Sequence, residues 1–148
     1  MERKGIFTGT FDPFTIWHAS IVERALPLFD EFIIGVAESE LKHTSRPAGG
    51  RVAAIRHLYA RETKIQVTAY SDLTIDLAHR MGAQFLVRGI RSVKDFEYER
   101  QQADINRRIG GVETVLFFAE PGLDSISSSL VRELEFFGKD VSGLLPEP

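Results

Sequence analysis

Residues able to bind phosphate cluster near the amino terminus, in segment 5–25 (GIFTGTFDPFTIWHASIVERA). The segment predicts a short apolar strand, a tight turn and then a helix whose first turn carries His18. A glycine-containing turn that opens onto a helix presents free backbone N–H groups and the positive end of the helix dipole, which together attract phosphate. Thr10 and Thr15 add hydroxyl donors, and His18 can carry a positive charge near neutral pH. The turn chemistry alone favours a plainer interpretation, in which the Asp-Pro pair makes the turn and Thr15 caps the helix.

Polar residues with similar potential follow the other predicted strands: Lys42, Thr74, the run 88–91 (RGIR) and the run 125–129 (SISSS). Each has an ordinary explanation by itself. Lys42 can be a solvated loop charge, Arg88 can pair with a carboxylate, and the serines can cap a helix. Gathered on one rim, however, such cations, hydroxyl groups and two helix N-termini describe a polyphosphate site.

The elements that must position these residues are predicted from hydrophobic periodicity. Short apolar runs separated by helices predict a single-domain Rossmann-like α/β fold, a doubly wound five-stranded parallel sheet with helices on both faces. Ligands of such sheets lie beyond the carboxyl ends of the strands, where the strand order reverses. The predicted strands cover residues 6–7, 31–37, 64–69, 84–87 and 114–118. The first predicted helix ends near residue 29, and the other four cover residues 51–62, 73–81, 95–108 and 128–137.

The composition restricts the class of protein. A chain of 148 residues that is 43% hydrophobic fits one globular domain, residues 1–148. Cysteine is absent, which excludes disulfides and thiolate chemistry and is compatible with a reducing compartment. The first residues lack the apolar run of a signal peptide and no stretch is long enough for a membrane helix, so we expect a cytoplasmic protein without membrane contact. The formal charge of −3 argues against nucleic-acid binding.

Several motifs resemble those of one enzyme family. The pattern T-G-T-F-D-P-x-T-x-x-H over residues 8–18 resembles the opening signature of the bacterial phosphopantetheine adenylyltransferases, nucleotidyltransferases with a T/H-x-G-H motif. The resemblance implies transfer of AMP from ATP to 4′-phosphopantetheine, giving dephospho-coenzyme A and pyrophosphate. It extends over nearly the whole chain through SDLT (71–74), VRGIR (87–91), DFEYE (95–99), ADINR (103–107) and SISSSLV (125–131).

The resemblance also implies a role for individual residues. Catalysis would rest on His18, Lys42, Thr10 and Arg91. Phosphopantetheine would contact Thr10, Lys42, Thr74 and Arg88. ATP would contact Thr10, Phe11, His18, Gly89, Ile90, Arg91, Glu99, Leu123, Asp124, Ser125, Ile126, Ser127, Ser128 and Ser129. For Glu99 the sequence leaves a second interpretation open, an exposed helix charge that pairs with a neighbouring arginine.

The residue types favour direct displacement. The substrate phosphate is already a nucleophile, so no general base is needed, and no GxSxG elbow or cysteine suggests a covalent intermediate. Catalysis would then be positioning and neutralisation of charge during in-line attack on the α-phosphorus of ATP. Mg²⁺ is expected on the ATP phosphates, held mainly by substrate oxygens and water, with no dedicated protein metal site.

The sequence departs from the family pattern at three places. Trp17 stands where the family has glycine before the histidine; the indole could fill the space near the phosphates, tilt His18 or turn outward. Arg46 replaces a usual aromatic residue and Gly50 a usual acidic one, and Gly49-Gly50 weakens the start of the next helix by about 1 kcal/mol per glycine.

Two other functions stay open, and a third is less favoured. The chain could transfer a nucleotide to another phosphate acceptor, or bind ATP or coenzyme A without turnover because of Trp17. An aminoacyl-tRNA synthetase fragment fits poorly, because ISSS replaces a lysine-rich second motif. The resemblance further implies a homohexamer and feedback inhibition by coenzyme A; the exposed apolar pair Phe136-Phe137 could serve such an interface or pack the last helix onto the sheet.

Overall fold

Five parallel strands form one sheet in the computed structural model, which describes residues 2–39 and 43–148. The strands are β1 (Lys4–Gly9), β2 (Glu31–Ala37), β3 (Ile65–Tyr70), β4 (Phe85–Ile90) and β5 (Glu113–Phe118). Their order across the sheet is β3-β2-β1-β4-β5, and every neighbouring pair is parallel. The predicted fold class, a Rossmann-like doubly wound sheet, is confirmed.

Helices cover both faces of the sheet. They are α1 (Ile16–Ala25), α2 (Ala48–Leu58), α3 (Thr74–Met81), α4 (Val93–Gly110) and α5 (Ser128–Phe136), with short 3₁₀ turns at Leu26–Leu28 and Ser142–Leu144. One core layer joins α1 and α2 to the sheet through residues such as Ile21, Ile55 and Ile34. The other joins α3 to the sheet through Leu77, Ile33 and Leu86, and α4 packs on β4, β5 and α3. Burial of these side chains supplies most of the driving force for folding.

The strand order reverses between β1 and β4. Strand β1 pairs with β2, the next strand in the chain, on one side and with β4 on the other. In the pairing with β4, Gly5 lies opposite Phe85 and Phe7 opposite Val87. The loops leaving the carboxyl ends of β1 and β4 therefore run to opposite sides and open a crevice between them. The candidate site lies at this crevice.

Several element boundaries differ from the sequence prediction, and two of these differences have clear tertiary reasons. Helix α2 begins at Ala48 instead of residue 51 and includes both glycines in its first turn. Arg51, 4% exposed, anchors that turn because its guanidinium donates to the carbonyl oxygens of Thr10 at 2.6 Å and Ala37 at 3.0 Å. Strand β4 continues to Ile90 because its last residues pair with β5 as far as Phe118.

Candidate functional site

The first turn of α1 fixes the tautomer of His18. Thr15 is the N-cap: its hydroxyl accepts from the backbone N–H of Trp17 at 3.2 Å. The backbone N–H of Thr15 in turn donates to Nδ1 of His18 at 2.9 Å. A ring nitrogen that accepts an N–H carries no proton, so the neutral imidazole bears its proton on Nε2. The predicted cap is confirmed, and it leaves Nε2–H as a donor for a ligand oxygen.

Four aromatic rings surround the His18 imidazole. Phe11 and Trp17 meet it edge-on with ring centroids at 5.0 and 5.2 Å, Phe14 stacks at 5.2 Å, and Phe7 lies at 6.3 Å. Desolvation by this surrounding, together with the positive charges of Arg91 and Arg88, lowers the pKa of His18 to about 3. This lowered pKa makes His18 a neutral hydrogen-bond donor at neutral pH, whereas the sequence alone allowed it a positive charge.

The turn between β1 and α1 is held by a residue that the sequence analysis had treated only as a turn former. Asp12, 2% exposed, accepts from the backbone N–H and hydroxyl of Ser45 at 2.8 and 3.1 Å and from the backbone N–H of Arg46 at 3.1 Å. Burial alone would raise the pKa of Asp12, but these hydrogen bonds and the charge of Arg132 hold it below its ordinary value. Phe11 has a φ of +52° there, a conformation that non-glycine residues seldom adopt. Asp12 thus fixes the segment after residue 42 to the turn that carries Thr10 and Phe11.

A first cavity, of about 190 Å³, opens on the side of α3 and α4. It brings together four predicted site residues, Thr10, Thr74, Arg88 and Glu99. The Arg88 guanidinium donates to both carboxylate oxygens of Glu99 at 2.8–3.1 Å and to the backbone and side-chain oxygens of Thr8 at 2.6 and 3.1 Å. Glu99 is 7% exposed, so the interpretation of an exposed helix charge is wrong, although the pairing with an arginine is confirmed.

The same cavity contains residues that the sequence analysis missed. Tyr98, Gln102 and Asn106 line it from α4, and Tyr70 lines it from the end of β3. The tyrosine hydroxyl shares a 3.0 Å hydrogen bond with the hydroxyl of Thr74. The signal for the three α4 residues was present, because positions four apart share one face of a helix.

A second cavity, of about 480 Å³, lies beside the carboxyl ends of β4 and β5. Three predicted ATP contacts line it: Ile90, Arg91 and Asp124. Arg91 donates from Nη1 to the carbonyl oxygen of Ile126 at 2.7 Å, and its Nε lies 3.9 Å from a carboxylate oxygen of Asp95. Burial lowers the pKa of the Arg91 guanidinium, against the opposing effect of Asp95 and Asp124, and leaves it charged at neutral pH.

The run of serines 125–129 connects α5 to the rim, the edge of the sheet at the carboxyl ends of β1 and β4. Ser127 is the N-cap of α5 and accepts from the backbone N–H of Leu130 at 3.1 Å. The Ser128 hydroxyl donates to the carbonyl oxygen of Pro13 at 2.7 Å, and Ser129 accepts from Arg132 at 3.2 Å. The N-terminus of α5 therefore lies against the turn that precedes α1. Leu123 and Ser125 lie in the turn before this helix.

Lys42 is the one predicted site residue that lies outside the described residues, so its place in the site stays a prediction. Gly89 meets Trp17, whose indole turns inward and is 7% exposed. Within residues 2–39 and 43–148, no group of three or more histidine, aspartate or glutamate side chains could hold a metal ion. Over the same residues, no helix combines the length and apolar character needed to cross a bilayer.

Comparison with known proteins agrees with this geometry. Residues 6–134 match the cytidylyltransferase-like family. A solved structure from Vibrio parahaemolyticus, provisionally named a nicotinate-nucleotide adenylyltransferase, superposes with a TM-score of 0.70 over 99% of this chain and 95% of its own, at 19% identity. That likeness concerns the fold alone. The fold and the matching family define the chain as a nucleotidyltransferase of the cytidylyltransferase-like class.

Relatives at higher identity narrow the class. The chain is 55% identical to a phosphopantetheine adenylyltransferase of Bacteroides thetaiotaomicron over 98% of this chain and 96% of the relative. It is 54% identical to one of Porphyromonas gingivalis (96% and 93% covered) and 43% identical to one of Xylella fastidiosa (98% and 90%). The chain belongs to the phosphopantetheine adenylyltransferase family.

Proposed function

We propose that this chain transfers the adenylyl group of ATP to 4′-phosphopantetheine through the rim at the carboxyl ends of β1 and β4. The observation that carries the proposal is the pair of cavities described above, one with Arg88 and one with Arg91, together with the electrostatic effect of both arginines on His18. Two anionic substrates that must react with each other need groups that bind the phosphates of each and a donor near the reacting atoms, and the effect of both arginines on His18 puts these three side chains within electrostatic range.

The cavity of Arg88 is proposed to receive 4′-phosphopantetheine. Its hydroxyl groups, from Thr10 and Thr74, and its guanidinium suit a phosphate, while Tyr98 and Asn106 suit the amide-containing arm. Arg88 enters this role already fixed by Glu99 and Thr8, so a phosphate shares an oriented guanidinium. Lys42 is proposed to reach the reacting phosphate from the loop after β2.

The cavity of Arg91 is proposed to receive ATP. Arg91 is charged and Asp124 lines the same cavity, while the segment 123–129 leads into the N-terminus of α5. The α1 and α5 N-termini add backbone donors for the triphosphate. Contacts of ATP with Phe11, Gly89 and Glu99 are proposed from the family resemblance.

The reaction then needs no proton transfer by the protein. An oxygen of the phosphopantetheine phosphate attacks the α-phosphorus of ATP, the new P–O bond forms as the bond to the β-phosphate oxygen breaks, and pyrophosphate leaves with that electron pair. His18 contributes its Nε2–H to an equatorial oxygen on the α-phosphorus, where negative charge must be stabilised. The lowered pKa of His18 favours a neutral donor for this contact.

Mg²⁺ is proposed to accompany ATP. Because the described residues offer no cluster of metal-ligating side chains, phosphate oxygens and water would be its main ligands. The ion would supply neutralisation of phosphate charge.

Assembly as a homohexamer, inhibition by coenzyme A at the same cavities and a cytoplasmic location are proposed with the function. Phe136 and Phe137 are 82% and 68% exposed, so they do not pack α5 onto the sheet of their own chain and are free to meet another copy. Light scattering of the purified protein and of a Phe136→Ser, Phe137→Ser variant tests the assembly. A wild-type monomer would overturn it.

The decisive experiment measures pyrophosphate release from ATP with 4′-phosphopantetheine, glycerol 3-phosphate or a mononucleotide as acceptor. Turnover with phosphopantetheine alone is the expected result. Turnover only with another acceptor would reassign the substrate. Calorimetric binding of ATP without pyrophosphate release would identify a binding protein that has lost turnover.

A further inference from the structure

Trp17 is packed against the one position of β4 that lacks a side chain. A Cβ placed on Gly89 would lie 2.8 Å from both Cζ2 and Cη2 of the indole, closer than real atoms approach. The ring is 7% exposed and also meets the His18 imidazole edge-on. Trp17 and Gly89 therefore fit each other, and the indole packs between the end of β4 and α1.

One face of the indole carries Arg91. The central carbon of its guanidinium lies 3.9 Å from the ring centroid, within the range of a cation–π contact. Stacking occupies the face of a guanidinium and leaves its N–H groups, which lie in the plane, available at the edge. Among the described residues, the hydrogen bond to Ile126 accounts for only one of them.

We propose that Trp17 is a positioning residue for the triphosphate: its indole holds the Arg91 guanidinium flat, with its free N–H edge turned toward ATP. The inference rests on the proposed function, because that function assigns ATP to the cavity of Arg91. It differs from the expectation that the indole obstructs the site, and it gives this chain a device in the place of the family's glycine.

Two features of the surroundings of Arg91 explain why stacking on the indole should strengthen the binding of ATP. Asp95 and Asp124 face Arg91 and attract it away from a ligand, and Asp95 lies 3.9 Å from Nε. An arginine side chain also loses considerable rotamer freedom when a ligand orders it. A ring that already holds the guanidinium reduces both effects, so more of the interaction with phosphate appears as affinity.

The indole is kept in place at some cost. Its Nε1–H is buried without an acceptor among the described residues, a condition that normally destabilises a protein. Packing against Gly89 and the stack on Arg91 offset that cost.

The test compares Trp17→Leu, which removes the ring, with Trp17→Phe, which keeps a weaker one. Calorimetric titration with ATP should give a Kd raised roughly 3- to 30-fold in Trp17→Leu, with a smaller rise in Trp17→Phe. KM for ATP should rise in parallel while kcat changes less.

The matched control is Phe29→Leu. Phe29 is 5% exposed and packs over Gly5 at the amino end of the sheet, with a ring atom 2.9 Å from where a Cβ would lie. Like Trp17→Leu, this substitution removes a buried aromatic ring that packs on a glycine. Phe29 lies away from the rim, so the affinity for ATP should stay at the wild-type value.

An unchanged or tighter Kd in Trp17→Leu would overturn the inference, the tighter value showing that the indole obstructs ATP. Because Trp17 is the only tryptophan, the fluorescence change when ATP binds to the wild type also reports on this residue directly. Both readouts measure binding without turnover. Absence of pyrophosphate release with phosphopantetheine would therefore count against the proposed function and not against the role of Trp17.

Discussion

Arg88 and Arg91 lie three positions apart at the end of β4, yet the protein holds them in different ways. Arg88 is fixed by acceptors: two carboxylate oxygens of Glu99 and two oxygens of Thr8 take its N–H groups. Arg91 is fixed mainly by the face of an indole, with one hydrogen bond to a backbone carbonyl.

The difference determines how much charge each region presents. The ion pair with Glu99 largely cancels the charge of Arg88 within its own cavity, whereas Asp95 is 3.9 Å from Arg91 and its side chain is 42% exposed, so it compensates less. The more positive region should attract the more highly charged substrate. That comparison agrees with placing the triphosphate at Arg91 and the single phosphate at Arg88.

His18, whose pKa both arginines lower, should show the largest effect. We expect His18→Ala to lower kcat by ~10²- to 10³-fold, the usual effect of removing one preorganised donor, with a smaller change in KM for ATP. Steady-state pyrophosphate release measures both constants. A variant that turns over at the wild-type rate would remove His18 from the mechanism.

Truncating Arg88 and truncating Arg91 should lower the free energy of unfolding by different amounts. Arg88→Ala leaves the Glu99 carboxylate buried without its partner, and we expect the free energy of unfolding to fall by about 2–3 kcal/mol. Arg91→Ala strands no buried carboxylate and should cost clearly less. Urea denaturation of both variants checks the order.

The double variant Arg88→Ala, Glu99→Ala is the control for that comparison. It removes the stranded charge and should recover part of the lost stability. Equal losses in the two single variants would contradict the distinction between an arginine held by acceptors and one held by a ring.

The pH dependence of stability should reveal the environment of His18. Its pKa is about 3 when folded against an ordinary value of 6.5, so between these values the unfolded chain binds a proton that the folded chain does not. Stability should therefore fall as the pH falls through this window, by at most about 1.4 kcal/mol per pH unit. Urea midpoints measured at several pH values, with His18→Gln as the control that lacks this slope, test the expectation.

The titration of His18, followed by NMR, compares the two arginines directly. Arg91 contributes more than Arg88 to the lowered pKa of His18. By NMR, Arg91→Ala should raise the pKa of His18 further than Arg88→Ala does. The reverse order would mean that Arg88 is the less compensated charge.

The smallest effect is expected at an exposed ion pair on the helix that carries Glu99. Arg107 and Asp104 lie 3.1 Å apart with side chains 61% and 62% exposed. Arg107→Ala should cost about 0.5 kcal/mol or less and leave the kinetics unchanged. This variant gives the baseline for a solvated pair on α4; a loss as large as that of Arg88→Ala would show that burial of Glu99 is not the cause of the difference.

The sequence by itself determined the architecture. The alternation of short apolar runs with helical patterns is a local property, and it predicted strand 31–37 with its observed bounds and the helix starting at Ser128. Crossover rules then placed the polar strand ends on one edge, where Thr10, Arg88, Arg91 and Ser127 are found. The sequence prediction began α2 too late because it counted the helix-propensity cost of the two glycines. The buried contacts of Arg51 outweigh that cost.

Only the tertiary structure decided the electrical state of the site. Whether His18 is charged, whether Glu99 is solvated and where the Trp17 indole points depend on neighbours brought from distant parts of the chain, such as Thr8 beside Arg88 and Gly89 beside Trp17. A pKa or a stacking contact is set by burial and by distances of a few ångströms. Periodicity along a chain carries no information on either, which is why the strand-end positions of Arg88 and Arg91 were predictable and the protonation and packing of the site were not.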